Sequence, residues 1–186
     1  MIGYALCGSF CTLSESLEAL RKLSNLGYEL QPIMSERVYD TDTRFFEKEK
    51  LRSKLRELTG RQIIHTVEGA EVLGPSKPLG ALIIAPCTGN TLAKMANGIT
   101  DTAVTMAAKA HLRADRPVLI ALASNDAMAQ NLGNIGKLLV RKSVYFVPMK
   151  QDNPKGKPHS LVADFELIEA AYLAMMEGKQ LRPLFL

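Results

Sequence analysis

The stretch 81-ALIIAPCTGNTLAKMANGITD-101 decides the fold. Ala81–Ala85 is a continuous apolar run with no polar alternation, the pattern of a strand covered on both faces in a parallel sheet. Pro86 ends it rigidly. The next residues change character at once. Thr88 and Thr91 offer hydroxyls, Asn90 offers an amide, and Gly89 permits close approach of a backbone. A helix starting near Thr91 points its electropositive end at the same place. Such a loop suits a phosphate or a flat polar heterocycle. Asn97, Gly98 and Asp101 form a second polar turn after the helix.

Working outward, the same strand-then-helix order repeats. Ile2–Cys7 is a short apolar strand that ends at Gly8. Ser14 reads as a helix N-cap, and Leu17, Leu20, Leu23 and Leu26 supply an apolar stripe that Gly27 stops. Tyr28–Met34 is a second strand candidate, with Pro32 arguing against a central position. Phe45–Leu58 is a charged helix, and its Lys48–Arg56 run reads as a solvated face. Ile63–His65 is a brief strand or turn entry. Pro75, Lys77, Pro78 and Gly80 make a loop before the central strand. Downstream, helices are expected over 103–112, 127–141 and 164–177, and strands over 117–123 and 143–147. Residues 149–160 read as a Pro, Gly and Lys-rich loop.

Alternation from end to end implies a parallel sheet with helices on both faces, in one domain spanning residues 1–186. Ligands bind at the carboxyl ends of such strands, near the point where strand order reverses. The loops that matter are therefore 8–14, 34–44, 86–91 and 123–128.

Composition narrows the function classes. The chain has 186 residues, 47% apolar and 23% charged, with a formal net charge of +4. A domain of this length buries roughly 70% of the surface of its unfolded chain, so it needs no disulfide or metal staple. Lys and Arg are scattered and Trp is absent, which argues against a nucleic-acid surface. Cys7, Cys11 and Cys87 lack the paired spacing of a disulfide scaffold or a zinc site, so no metal is expected. The N-terminal residues lack a signal-peptide pattern, and no apolar run is long enough to span a bilayer. A soluble, cytoplasmic protein without a membrane partner is expected.

Several residues are candidates for chemistry. Gly8, Ser9 and Phe10 follow the first strand, where free amides and a helix dipole can hold an anion, or where the chain simply turns. The turn is neither GxGxxG nor a Walker loop. Ser35 can donate a hydroxyl to the same anion or act as a cap. His65 is a candidate acid or base, or a structural histidine at a strand end. Cys87 faces the ligand loop, as a thiolate or as a small core residue. His111 reads as exposed at a polar helix end. Lys150, Lys155, Lys157 and His159 form a basic loop, which is either solvated or able to close over a dicarboxylate.

The segment Ala85–Asp101 closely resembles the PxSxNTxAKxAxGxxD signature of the homo-oligomeric flavin-containing cysteine decarboxylase superfamily. That resemblance implies a Rossmann-like, flavodoxin-like three-layer sandwich with a mostly parallel sheet. It implies FMN as cofactor, with Gly8, Ser9, Ser35, Thr88, Asn90 and Thr91 touching the flavin or its phosphate. Phe10, Pro86, Ala123, Ser124 and Asn125 complete the cofactor-binding set that the resemblance implies. Ala123, Ser124 and Asn125 stand where the superfamily usually has PAMN. Here the loop is ALASNDAM, with Ser in place of Met, which weakens a decarboxylase reading. The opening IGYALCGSFCT and the ending GKQLRPLFL look most like superfamily members from sporulating bacteria. Those act with a separate dehydrogenase-like, NAD(P)-dependent protein to oxidise dihydrodipicolinate to dipicolinate in the mother cell. The resemblance also implies a homo-oligomer, trimer or dodecamer. Two alternatives stay open: a stand-alone FMN-dependent decarboxylase using His65, and a non-catalytic nucleotide- or phosphate-binding assembly component.

Overall fold

The computed structural model describes residues 1–74 and 79–186; the expected loop positions Pro75, Lys77 and Pro78 lie outside them. The chain opens with β1 (Ile2–Leu6), a 3-10 turn (Phe10–Thr12) and α1 (Leu13–Asn25). β2 (Leu30–Met34), α2 (Glu36–Asp40), α3 (Lys48–Thr59) and α4 (Val67–Glu71) follow. The centre comprises β3 (Ala81–Cys87), α5 (Gly89–Ala96), α6 (Ala103–Leu112) and β4 (Val118–Ser124). The last part holds α7 (Leu132–Leu139), β5 (Val144–Phe146), β6 (Met149–Lys150), β7 (Leu161–Ala163) and α8 (Ile168–Met176).

Strand order is β2-β1-β3-β4-β7-β6, with β5 also pairing β4. The β2, β1, β3, β4 and β5 ladders are parallel, whereas β7 runs antiparallel to β4 and to β6. β3 and β4 are buried at every position, which is why both read as unbroken apolar runs. Alternate residues feed two cores. Leu82, Ile84, Ile120 and Leu122 pack on the side of α4, α5, α6 and α7. Ile83, Ala85, Leu119 and Ala121 pack on the side of α1, α3 and α8. Each fully buried Leu or Ile contributes roughly 1.5–3 kcal/mol relative to exposure, so this double-sided burial holds the three layers together. The expected α/β sandwich is therefore what the chain forms.

β1 lies between β2 and β3, so the chain turns to one side after β1 and returns on the other. This places the reversal of strand order at the β1/β3 boundary. A buried polar link locks α1 there. The Tyr4 hydroxyl donates to Ser16 O at 2.8 Å, and Ser16 Oγ donates to Ala85 O at 2.5 Å. Pro32 is tolerated because β2 is a sheet-edge strand. Its carbonyl accepts from Ile64 N at 3.0 Å on the outer side, so no amide is missing from the β1 ladder.

Some local expectations are corrected. Ser14 does not cap α1; the helix begins at Leu13, and the hydroxyl of Thr12 instead bonds Ser9. The helix expected over 127–141 occupies only Leu132–Leu139, because residues 125–131 turn around Asp126. Part of the 149–160 loop is strand β6. His111 is fully buried rather than exposed, because α6 turns that face into the fold. Burial, then the nearby Arg116 cation, pushes its pKa down to about 4. Among the described residues neither of its ring nitrogens has a hydrogen-bond partner. No helix among the described residues is long and apolar enough to cross a membrane.

Candidate functional site

The carboxyl ends of β1 and β3 are neighbours, and Cys7 N donates to Pro86 O at 3.1 Å across them. Beyond this link the two strands open into the turns carrying Gly8–Phe10 and Thr88–Asn90. Thr88 caps α5: its Oγ1 accepts from Thr91 N at 3.2 Å. The first intrahelical bond of α5 is Leu92 N to Thr88 O at 2.9 Å. The amides of Gly89 and Asn90 precede it and have no acceptor within the helix. They form an anion-seeking end at the strand-order reversal.

Two clefts flank this point. One, of about 600 Å³, is bordered by Gly8, Ser9, Phe10, Arg44, Phe45, Thr88, Asn90, Ala123, Ser124, Asn125, Asp126 and Lys157, among others. The other, of about 550 Å³, is bordered by Gly8, Ser35, Arg37, Thr88, Asn90, Thr91 and Lys94, with Glu36, Asp101 and Thr102. Gly8, Thr88 and Asn90 border both, so the clefts are two lobes meeting over one ridge. Asn90 is exposed on that ridge. Its side-chain amide is not engaged by any other group among the described residues.

Charge in the second lobe favours an anion. The Glu36 carboxylate accepts from Ala103 N at 2.9 Å. Asp101 accepts Lys94 Nζ on both oxygens at 2.8 Å, which holds its carboxyl below the usual range. Both acids are thus engaged, while Arg37 takes part in no ion pair among the described residues. Ser35 stands at the start of α2 with its side chain making no cap hydrogen bond.

In the first lobe, the end of β4 is stiffened by a polar cluster. Ser124 Oγ donates to Asp126 Oδ1 at 2.5 Å, and Asn131 Nδ2 donates to the same oxygen at 2.9 Å. The Ser124 bond is the main reason the Asp126 carboxyl titrates below its ordinary value. Gly89 sits against this cluster. A Cβ there would lie 2.5 Å from Ser124 Oγ and 2.6 Å from Asn131 Nδ2. Glycine therefore lets α5 start directly on the end of β4.

The candidates sort clearly. Gly8, Ser9, Phe10, Thr88, Asn90, Ala123, Ser124 and Asn125 meet at the first lobe, and Ser35 joins Gly8, Thr88 and Asn90 at the second. Thr91 borders the second lobe, but its hydroxyl turns inward to Cys7 Sγ at 3.3 Å. Pro86 is buried in β3 and borders neither lobe. His65 borders neither lobe. Its ring stacks on Tyr39 at 3.5 Å between centroids and 8° between planes. The Arg52 guanidinium lies 3.5 Å from the Tyr39 centroid and must occupy the opposite face. Cys87 is core, its thiol pushed well up by burial, and the same cause raises Cys7 to about 11. Sequence reasoning did not single out Arg37, Arg44, Phe45 or Asp126. Arg37, Arg44 and Asp126 fall inside loops marked by strand order, but no residue pattern distinguished them. Among the described residues no cluster of three His, Cys, Asp or Glu side chains could hold a metal ion.

A parallel sheet in the order 2-1-3-4 with a polar, amide-rich cleft at the β1/β3 reversal defines a protein of the flavodoxin-like fold class. The chain belongs to the Flavoprotein family, whose model matches residues 1–168. It is 39% identical over 183 residues to the B subunit of dipicolinate synthase from Bacillus subtilis (strain 168), covering 98% of this chain and 92% of that one. It also matches the crystal structure of the dipicolinate synthase B subunit from Bacillus halodurans C, at 39% identity and a TM-score of 0.91 over 100% of this chain and 95% of that one. The FMN complex of Burkholderia xenovorans DmrB shares the fold at 17% identity, with a TM-score of 0.70 over 95% of each chain.

Proposed function

We propose that this chain is an FMN-binding component of dipicolinate synthase. In this reading it acts with the synthase's other component, a dehydrogenase-like, NAD(P)-dependent protein, to oxidise dihydrodipicolinate to dipicolinate. It works as a homo-oligomer in the mother-cell cytoplasm of a sporulating bacterium. The observation that carries this is the convergence of residues 8–9 and 88–91 on one ridge between two clefts. The relatives named for dipicolinate synthase support the choice of reaction.

The residues present fit a phosphorylated planar ring. Ser35, Arg37 and the α5 amides supply donors for a phosphate. Asn90 and Asn125, both exposed in the first lobe, supply amides for a polar ring edge, and Phe10 supplies an apolar wall. When bound, FMN supplies a hydride acceptor. The reaction removes a hydride and a proton from the dihydropyridine ring, leaving an aromatic pyridine. The protein's part is to hold that ring in register. The decarboxylase reading gains nothing from the geometry, because the stacked His65 borders neither lobe.

The test is a dihydrodipicolinate oxidation assay with the two components separately and together, alongside an FMN titration. A purified sample should be yellow, with absorbance near ~450 nm as flavins have. Asn90→Ala should weaken FMN binding by about tenfold through loss of a hydrogen bond, with the melting temperature unchanged. A colourless protein that FMN cannot reconstitute would leave only an assembly role.

A further inference from the structure

The first lobe contains two cations that FMN recognition does not require, and they come from different parts of the chain. Arg44 projects from a hydrogen-bonded turn. Thr43 Oγ1 accepts the amides of Phe45 at 3.2 Å and Phe46 at 3.1 Å, and Thr43 N donates to Phe46 O at 2.9 Å. The Arg44 guanidinium lies 4.7 Å from the Phe45 ring centroid. It takes part in no ion pair among the described residues. Phe45 borders the lobe and is 46% exposed, so its ring can be approached from the lobe. Lys157 borders the lobe from the β6–β7 connection, where Asp152 accepts its Nζ at 2.9 Å. That pair is solvent-accessible on both sides, so a competing carboxylate can take the ammonium at little cost.

We propose that the first lobe binds a planar ring bearing two carboxylates, with Arg44 taking one carboxylate, Lys157 the other, and Phe45 lying against the ring. This rests on the proposed reaction and names the residues that select its substrate. A guanidinium offers a fork matched to a carboxylate, and its place over Phe45 restricts how that fork can turn. Asp152 acts as a stand-in for the second carboxylate when the lobe is empty of substrate. Asp126 keeps its charge, since Ser124 and Asn131 are neutral donors on Oδ1, so the two carboxylates of the ring must lie toward Arg44 and Lys157 and away from it. A ring with one carboxylate answers Arg44 and leaves Lys157 on Asp152, so only a second carboxylate, exchanging with Asp152 for the ammonium, adds a contact across the lobe.

The experiment titrates pyridine-2,6-dicarboxylate and pyridine-2-carboxylate into the full chain in metal-free buffer with FMN present. Binding is read by calorimetry. The dicarboxylate should bind at least about tenfold more tightly than the monocarboxylate, the scale of one charge-assisted hydrogen-bonded contact. Arg44→Ala and Lys157→Ala should each weaken the dicarboxylate by about tenfold or more and erase its advantage, with melting temperatures unchanged. Arg44→Lys should recover part of the loss, since charge returns without the fork. Equal affinity of the wild-type chain for both ligands, or variants that keep the preference, would overturn the assignment. Failure of the proposed reaction shows differently: the wild-type chain with its dehydrogenase-like partner would form no dipicolinate, whatever the two ligands do.

Discussion

Replacing Gly89 with alanine places a methyl carbon 2.5 Å from Ser124 Oγ, 2.6 Å from Asn131 Nδ2 and 3.0 Å from Asp126 Oδ1. All three atoms belong to one hydrogen-bonded cluster, and Ser124 and Asn131 are buried. Relieving the overlap means moving side chains that cannot move without breaking their bonds to Asp126. Overpacking a tight site costs about 1–3 kcal/mol. Losing the two bonds adds about 1–2 kcal/mol, at the low end for charged partners because the carboxylate can turn to water. Alanine in a helix returns about 1 kcal/mol relative to glycine. The net expectation is a loss of about 2 kcal/mol, or about 4–8 °C in melting temperature for a chain of this size. Gly136, inside α7, is the control, because a Cβ there meets nothing within 4 Å. Gly136→Ala should therefore gain about 1 kcal/mol. Urea unfolding with a constant slope reads both changes. If Gly89→Ala proves as stable as the wild type, the cluster does not confine that position and the reasoning fails.

Other expectations follow from neighbouring features. His65→Ala should leave dipicolinate formation within a few-fold of wild type in the coupled assay, and cost about 1 kcal/mol through loss of the stack on Tyr39; a thousandfold drop in turnover would make His65 catalytic. His111 should make stability fall with acid. Its pKa is about 4 when folded and 6.5 in the unfolded chain, so the unfolded state binds the extra proton between those values. Stability from this group is complete above pH 6.5 and declines toward pH 4 by about 3 kcal/mol, at 1.36 kcal/mol per unit. Replacing His111 with Gln should flatten urea stability over that window, and an unchanged slope would refute the assignment. Of the three cysteines only Cys11 is exposed. A disulfide reagent should thus titrate one thiol in the folded chain and three after denaturation.

The central strands were legible because burial on both faces leaves no polar position, and that pattern survives in a single sequence. The turn after β3 was legible for the same reason in reverse, as polar residues crowd one place where the strand stops. The short helices α2 and α4 were not, since five residues carry too little periodicity to separate from a turn. β6 and β7 hid because two- and three-residue strands carry almost no pattern of their own, and β7 is held by β4, far away in sequence, while β6 is held by β7. His111 misled because Arg113 and Asp115 surround it with polar sequence, while packing turns its own face inward. Arg44, Phe45 and Asp126 gave no signal, because what joins them is a cleft assembled from residues some 80 positions apart.

The ridge between the lobes is built from the ends of adjacent strands, so its width is set by backbone pairing. Parallel neighbours lie about 4.8 Å apart, and no side-chain exchange alters that spacing. The ridge therefore works as a ruler: a molecule seated on both sides must separate its two ends by a length the sheet dictates. Changes to either lobe can retune what is gripped there while the distance between grips stays constant. New specificities on this scaffold should then appear as different head groups on a linker of unvarying span.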